Sequence, residues 1–356
     1  DHRDLDLPAP DPQFTAELLK LLGNHAGSYG VAVLDLSNPN NPRYAEHRGD
    51  YRQNVGSVGK LVVALGLFQA LADTWPDDTA QRVSVLKNTL VTADAFSQSD
   101  HHKVRIFDVE NRKLTRRTIE IGDQGTLWEY LDWMLSVSSN SAAAMTMREA
   151  MLLRQYGRDY PPSEAEIKRF FKETPGKQLT ALFQSTFFEP ITRNGLDLEK
   201  MRQGSFFTRQ GKRLVNGGGN SYGTARELML LTLRMEQGRL VDEFSSRQIK
   251  RLLYMTERRI RYASSPALSD SAVYFKSGSL YSCREEEGFT CKAYAGNNKN
   301  YMNSVAIIES PAGENRLHYI STLVSIVLRT NAAVEHQTMA TRLHRLVESA
   351  NQEANP

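Results

Sequence analysis

The chain has 356 residues, of which 40% are hydrophobic and 24% charged, with a formal net charge of +3. That length supports a large core, in one domain or two closely joined ones. The mild charge, with no dense Lys/Arg block, does not suit a nucleic-acid-binding protein, and no apolar run is expected to reach the length of a membrane-crossing helix.

Residues 1–10 are polar and Pro-bearing and read as a tether. The first residue is Asp1 rather than Met, so we expect a processed protein, periplasmic or secreted, that has lost a signal or anchor. Asp11 and Pro12 suit the N-cap and first position of a helix to about residue 22. Residues 29–36 (YGVAVLDL) read as a strand, with 43–48 as its hairpin partner across an Asn- and Pro-rich turn. Residues 61–71 (LVVALGLFQAL) are apolar on every side, the pattern of a helix buried all round. An amphipathic helix is expected at 127–135, another from 142, and a third at 224–237. Residues 272–275, 303–309 and 318–328 read as strands, and 332–349 as a closing amphipathic helix.

Strands thus cluster at the two ends of the chain with helices between them. The expected class is α+β: one antiparallel sheet built from both chain ends, flanked by helices, with an all-helical half inserted. The sheet part would span about 11–60 and 256–350 and the helical part about 61–255, within one domain over 11–356. The two cysteines, Cys283 and Cys291, flank an acidic stretch. A hairpin-tip disulfide is the preferred reading, with two unrelated thiols as the alternative.

Three short motifs stand in order: Ser57-Val58-Gly59-Lys60, Ser138-Ser139-Asn140 and Lys276-Ser277-Gly278. Singly they are weak, since Ser84 to Lys87 repeats the first pattern and Ser349-Ala350-Asn351 the second. Their order and settings distinguish them: the first opens the apolar helix, the second joins two helices, and the third follows a strand. Ser57 and Lys60, three apart, share a helical face. A serine hydroxyl becomes a nucleophile only with a base, and lysine can be that base if burial lowers its pKa, with the positive helix N-terminus adding to the effect.

In order and type these motifs resemble S-x-x-K, S-D-N and K-T-G of serine β-lactamases and penicillin-binding proteins, most closely the class A β-lactamases. The resemblance covers nearly the whole chain from about residue 14, with insertions expected at 91–117 and 153–177. It implies a catalytic serine, Ser57, at the junction of the two halves and Lys60 as its base. Ser138 would relay a proton to the leaving nitrogen, and Asn140 would bind Lys60 or the substrate amide. Lys276, Ser277, Gly278 and Ser279 would bind a substrate carboxylate, and the Ser57 and Ser279 amides would form an oxyanion hole. Ser139 stands where the family often has Asp. The E-x-x-L-N string that carries the deacylating Glu in class A enzymes does not occur. Counting from 179–183 and 191–193 points to Glu199, with Gln203 in place of Asn. Glu189 and Asp197 are weaker choices, and a penicillin-binding-type site without such a Glu is the alternative.

The expected function is a serine acyl-hydrolase of the class A β-lactamase type, acting on carboxylate-bearing β-lactams or D-Ala-type peptides. The alternatives are a D-alanyl-D-alanine carboxypeptidase or transpeptidase with slow deacylation, and a non-catalytic peptide-binding relative. No cofactor or metal is implied, and the expected partner is a small-molecule β-lactam or cell-wall peptide. Other patterns weigh less. Gly219 to Gly223 matches a G-x-S-x-G nucleophile elbow, but a short polar segment precedes it and the chain lacks repeated βα units. Gly59-Lys60 lacks the first Gly of a phosphate loop. Asp100-His101-His102 reads as a polar surface loop rather than a metal site, and residues 258–261 as a solvated helix end rather than an anion site.

Overall fold

The computed structural model describes residues 2–257, 259–314 and 316–352. In chain order, helix α1 (Pro12–Leu22) leads to strands β1 (Tyr29–Asp35) and β2 (Arg43–His47), and a 3₁₀ turn (Gly56–Gly59) opens α2 (Lys60–Thr74). Next come α3 (Thr79–Asn88), β3 (Leu90–Thr92), β4 (Val104–Asp108), β5 (Lys113–Arg117) and β6 (Gln124–Thr126). They are followed by α4 (Leu127–Leu135), α5 (Asn140–Tyr156), α6 (Glu164–Glu173), α7 (Gly176–Phe187), α8 (Glu189–Arg193), α9 (Arg209–Leu214), α10 (Ala225–Glu236) and α11 (Glu243–Tyr254). The chain closes with β7 (Ala272–Ser282), β8 (Lys299–Ser310), β9 (Leu317–Ile326) and α12 (Ala332–Gln352).

The two chain ends meet in one five-stranded antiparallel sheet of order β2-β1-β9-β8-β7. Strand β1 is buried along its whole length because helices cover both faces. By the two-residue period of a strand, Val31 and Val33 face one core with Phe14 of α1 and Leu343 of α12, while Ala32 and Leu34 face the other with α2 and α10. Asp11 caps α1 as expected, accepting from the Phe14 amide at 2.7 Å.

Helix α2 is buried from Lys60 to Leu71. Here one expectation needs correction. Gly56–Thr74 is long and apolar enough to pass for a membrane span, with mean hydropathy 1.3, but 78% of it is buried inside the fold, as befits the central helix of a large core.

Three further expectations change. The inserted half is not all helical: β3 pairs with β6, and β4 with β5 as a hairpin across the turn at 109–112. Residues 2–10 are no free tether. Gln237 donates to the carbonyls of His2 (2.8 Å) and Leu5 (2.7 Å), and Leu5 and Leu7 pack on the core. The third motif lies within β7 rather than after it, since the strand runs on to Ser282. Cys283 and Cys291 form a disulfide in the loop after β7.

A buried ionic pair ties the insertion to α5. Arg148 donates to Glu149 Oε1 at 2.8 Å and to Asp94 Oδ2 at 2.6 Å, and Tyr160 donates to Glu149 Oε2 at 2.5 Å. Removing one partner strands the other charge in the core, so Arg148→Ala should lower stability by about 3–5 kcal/mol. Urea unfolding of the variant against wild type measures this.

Candidate active site

Ser57 sits in the Gly56–Gly59 turn, at the mouth of α2 and against β7. The two segments approach backbone to backbone. A Cβ at Gly278 would lie 2.2 Å from the Val55 carbonyl oxygen and 2.6 Å from the Ser57 nitrogen, and one at Gly56 would lie 3.2 Å from the Ser279 nitrogen. Gly56 also has φ +54°, a conformation glycine adopts at little cost. Asn303 of β8 braces the junction: its Oδ1 accepts from Gln53 at 2.6 Å, and its amide reaches the Asn54 and Gly278 carbonyls, each at 3.4 Å. This close packing brings the Ser57 and Ser279 amides, the expected oxyanion pair, to one spot.

Lys60 is fully buried, with its Nζ 2.9 Å from Ser57 Oγ, 2.6 Å from the Ser138 carbonyl oxygen, 2.8 Å from Asn140 Oδ1 and 3.2 Å from Ser138 Oγ. The Phe207 ring lies 4.9 Å away. Burial brings the Lys60 pKa down to about 7; Asp100 acts in the opposite sense, and Arg261 lowers it further. A neutral amine has two N–H bonds and one lone pair. The Ser138 carbonyl and Asn140 Oδ1 can only accept, so they use the two N–H bonds and leave the lone pair for the Ser57 hydroxyl proton.

Ser138, in the left-handed region at φ +65°, places its hydroxyl between Lys60 and Lys276 Nζ, the latter donating at 3.0 Å. Lys276 is buried too and donates to the Ser277 carbonyl at 2.8 Å. Burial, then Lys60 and Arg261, depress its pKa well below the ordinary lysine value. Sequence reasoning missed Arg261. Its guanidinium donates to Ser277 Oγ (2.8 Å) and Ser279 Oγ (3.1 Å) and lies 4.9 Å from the Tyr294 ring centroid. The 258–261 run is therefore not a solvated helix end. Arg258 lies outside the described residues, Arg259 donates to the Leu268 and Ser271 carbonyls, and Arg261 enters the cleft. No periodicity marks Arg261, because an irregular turn delivers it.

Ser57, Ser138, Asn140, Arg261, Lys276, Ser277 and Ser279 line a cleft of about 670 Å³, with Lys60 buried behind Ser57. The β4–β5 hairpin reaches over one end, where Arg105 and Arg116 pair with Glu257 at 3.4 and 3.0 Å. Asp100-His101-His102 is not a surface loop: both histidines line the cleft and the Asp100 side chain is 1% exposed. Its carboxylate is committed to hydrogen bonds with Ser139, Ser141 and His102. In a second acidic cluster Lys250 already sits between Glu236 and Glu309, at 3.0 and 2.8 Å.

Glu199 does not meet Ser57. It is exposed, outside the cleft lining, with its carbonyl accepting from Arg52 at 3.2 Å. The loop over 194–223 is pinned by the Asp197 amide on Glu227 (2.6 Å) and by the paired backbones of Arg202 and Tyr222. That register turns Gln203 inward, buried against Gly59, with its amide on the Ser205 carbonyl at 2.6 Å. Glu189 pairs with Arg154 and Asp197 accepts from the Glu199 amide, so neither replaces Glu199. Ser221 of the elbow-like string accepts from the Gly204 amide at 2.9 Å inside the same loop.

The sequence model of a family described as the beta-lactamase enzyme family matches residues 13–330. No curated protein matches the chain. Among solved structures, PBP-A is 14% identical with TM-score 0.56, covering 97% of this chain and 100% of its own. A beta-lactamase from Sphaerobacter thermophilus DSM 20745 is 13% identical with TM-score 0.58, covering 96% and 98%. The TLA-1 extended-spectrum beta-lactamase is 12% identical with TM-score 0.55, covering 96% and 97%. At these identities the likeness shows the fold.

The depressed Lys60 pKa has a signed consequence. A base is active only when neutral, so if Lys60 serves Ser57 in that role the Ser57 acylation rate should rise with pH through a midpoint near 7 and level off above it. Lys60→Ala should lower that rate about 10²–10⁴-fold at pH 8 while the fold survives. Labelling rates with an acylating probe across pH 5–9, with circular dichroism as the fold control, check both.

Proposed function

The chain belongs to the beta-lactamase enzyme family, a family of serine hydrolases, and from that premise we propose that it forms an acyl-enzyme on Ser57 and releases it slowly. The observation that carries this reading is a pair of facts about one serine. Lys60 Nζ stands 2.9 Å from its hydroxyl, while Glu257, held by Arg105 and Arg116, is the one carboxylate among the described residues lining the cleft.

Ser57 Oγ attacks the carbonyl carbon as its proton passes to Lys60. The Ser57 and Ser279 amides receive the oxyanion. As the C–N bond breaks, Ser138 Oγ, between the two lysines, hands a proton to the leaving nitrogen. A substrate carboxylate docks on Arg261, Ser277 and Ser279, so carboxylate-bearing β-lactams and D-Ala-type peptides fit. Hydrolysis then needs a base for water on the far side of the ester. Gln203, which occupies the inward place on the loop, is an amide and cannot take a proton at neutral pH. This favours the penicillin-binding type of reaction over rapid β-lactam hydrolysis. The disulfide fits an oxidising compartment, in keeping with a periplasmic or secreted protein.

Two outcomes test the reading. With a fluorescent penicillin, intact-mass and peptide-mass spectrometry should place one adduct on Ser57 that persists for many minutes, and Glu199→Gln should lose it at the wild-type rate. Rapid turnover with no accumulated adduct would sink slow release. Arg261→Ala should lower kcat/KM for carboxylate-bearing substrates about 10–100-fold, the scale of a lost charged hydrogen bond. It should also move the acid limb to higher pH, because one cation near Lys60 is gone. Acylation kinetics at several pH values read both effects.

A further inference from the structure

We propose that Asp100 is a positioning residue for the Ser57 reaction: its carboxylate, delivered by the loop before β4, locks the turn that presents Ser138 and Asn140 to Lys60. The inference rests on the reading of Ser57 as the acylated nucleophile.

The turn between α4 and α5 needs such a lock. Ser138 is held in the left-handed region, and its carbonyl, its hydroxyl and the Asn140 amide must all converge on one nitrogen. Ser139, between them, is buried, caps α5 by accepting from the Ala142 amide at 3.1 Å, and has only a short neutral side chain. Asp100 supplies what that side chain lacks. Its Oδ2 accepts from Ser139 Oγ at 2.9 Å and from the Ser141 amide, at the N-terminus of α5, at 3.0 Å. Its Oδ1 accepts from the amides of His101 (2.8 Å) and His102 (3.1 Å) and faces His102 Nδ1 at 2.6 Å. Ser141 Oγ also donates to the Ser97 carbonyl, so the loop over 97–102 and the start of α5 are stitched together through this carboxylate. The carboxylate is thus on a different loop from the triplet whose turn it holds.

The same group acts on Lys60 by charge. Burial works against ionisation of Asp100, but the hydrogen bond and charge of His102 and the backbone amides outweigh it and hold the carboxyl well below the usual range. Lys60 therefore faces one fixed anion, Asp100, together with His102 from the same loop, Lys276 from β7 and Arg261 from the turn before β7. The loop over 194–223 brings the Phe207 ring to 4.9 Å from Lys60 Nζ. Removing the anion leaves Lys60 among cations and should make it give up its proton at lower pH.

The test uses the whole chain and three variants: Asp100→Asn, Ser139→Ala, and Asp100→Asn combined with Ser139→Asp, which returns a carboxylate to the turn from the triplet itself. Acylation by a fluorescent penicillin should slow about 10–100-fold in Asp100→Asn, with the acid limb moved to lower pH. Ser139→Ala should slow it less and leave the limb in place. The double variant should recover most of the lost rate. Asp100→Asn at the wild-type rate and midpoint, or a folded double variant no faster than Asp100→Asn, would overturn the proposal. A second readout needs no acylation: the Lys60 Cε resonance in ¹³C-lysine-labelled protein should titrate at lower pH in Asp100→Asn, and an unchanged midpoint overturns the proposal. If wild-type Ser57 takes no label, the acyl-enzyme reading fails while the Lys60 titration still decides the role of Asp100.

Discussion

Lys60 has been taken out of water behind Ser57, and the candidate site is organised around the cost of doing so. An ammonium there has lost its hydration and faces Arg261 and Lys276, with Asp100 opposing them. The amine answers by holding its proton loosely, which is what a serine nucleophile requires of its base. The apolar length of α2, the Phe207 ring and the inward Gln203 keep water away from it. A polar or open α2 would restore the ordinary lysine pKa and leave Ser57 without a base.

The second constraint is contact between backbones. Gly56 and Gly278 have no Cβ, so the Ser57 turn can lie on β7 at a distance no other residue would allow. Substitution at Gly278 would press a methyl group on the Val55 carbonyl, which is main chain and cannot rotate aside. The sheet supplies the rigidity this needs. β7 is paired with β8 over its whole length, and Asn303 projects from β8 to fasten both sides of the contact. The site is thus built on the sheet made by the two chain ends, and the inserted half closes over it.

Some of this was legible in the residues alone. Ser57 and Lys60 are three apart on one helix, and Lys276, Ser277 and Gly278 are consecutive on one strand. Local spacing fixes their mutual geometry once the helix and strand form. The apolar, β-prone run of β1, the Asp11 cap and the apolar girth of α2 likewise follow from neighbours in sequence. The pairing of Cys283 with Cys291 closes a short loop and was readable for the same reason.

Arg261, Asp100 and the Glu199–Gln203 choice are of another kind. Arg261 lies 16 residues from Ser277, and Asp100 lies 39 residues from Ser139. Each arrives on an irregular segment whose path is set by distant packing rather than by period. Counting along the chain chose Glu199, but the inward face of that loop is decided by Glu227 holding the Asp197 amide and by Tyr222 pairing with Arg202. The sequence by itself determined which groups single elements hold together: Ser57 with Lys60, the Ser138-Ser139-Asn140 triplet, and Lys276 with Ser277 and Gly278 on one strand. The tertiary structure alone decided which charges surround that lysine and which side chain of the 194–223 loop turns inward, because a loop side chain takes its direction from contacts that exist only once the whole chain has folded.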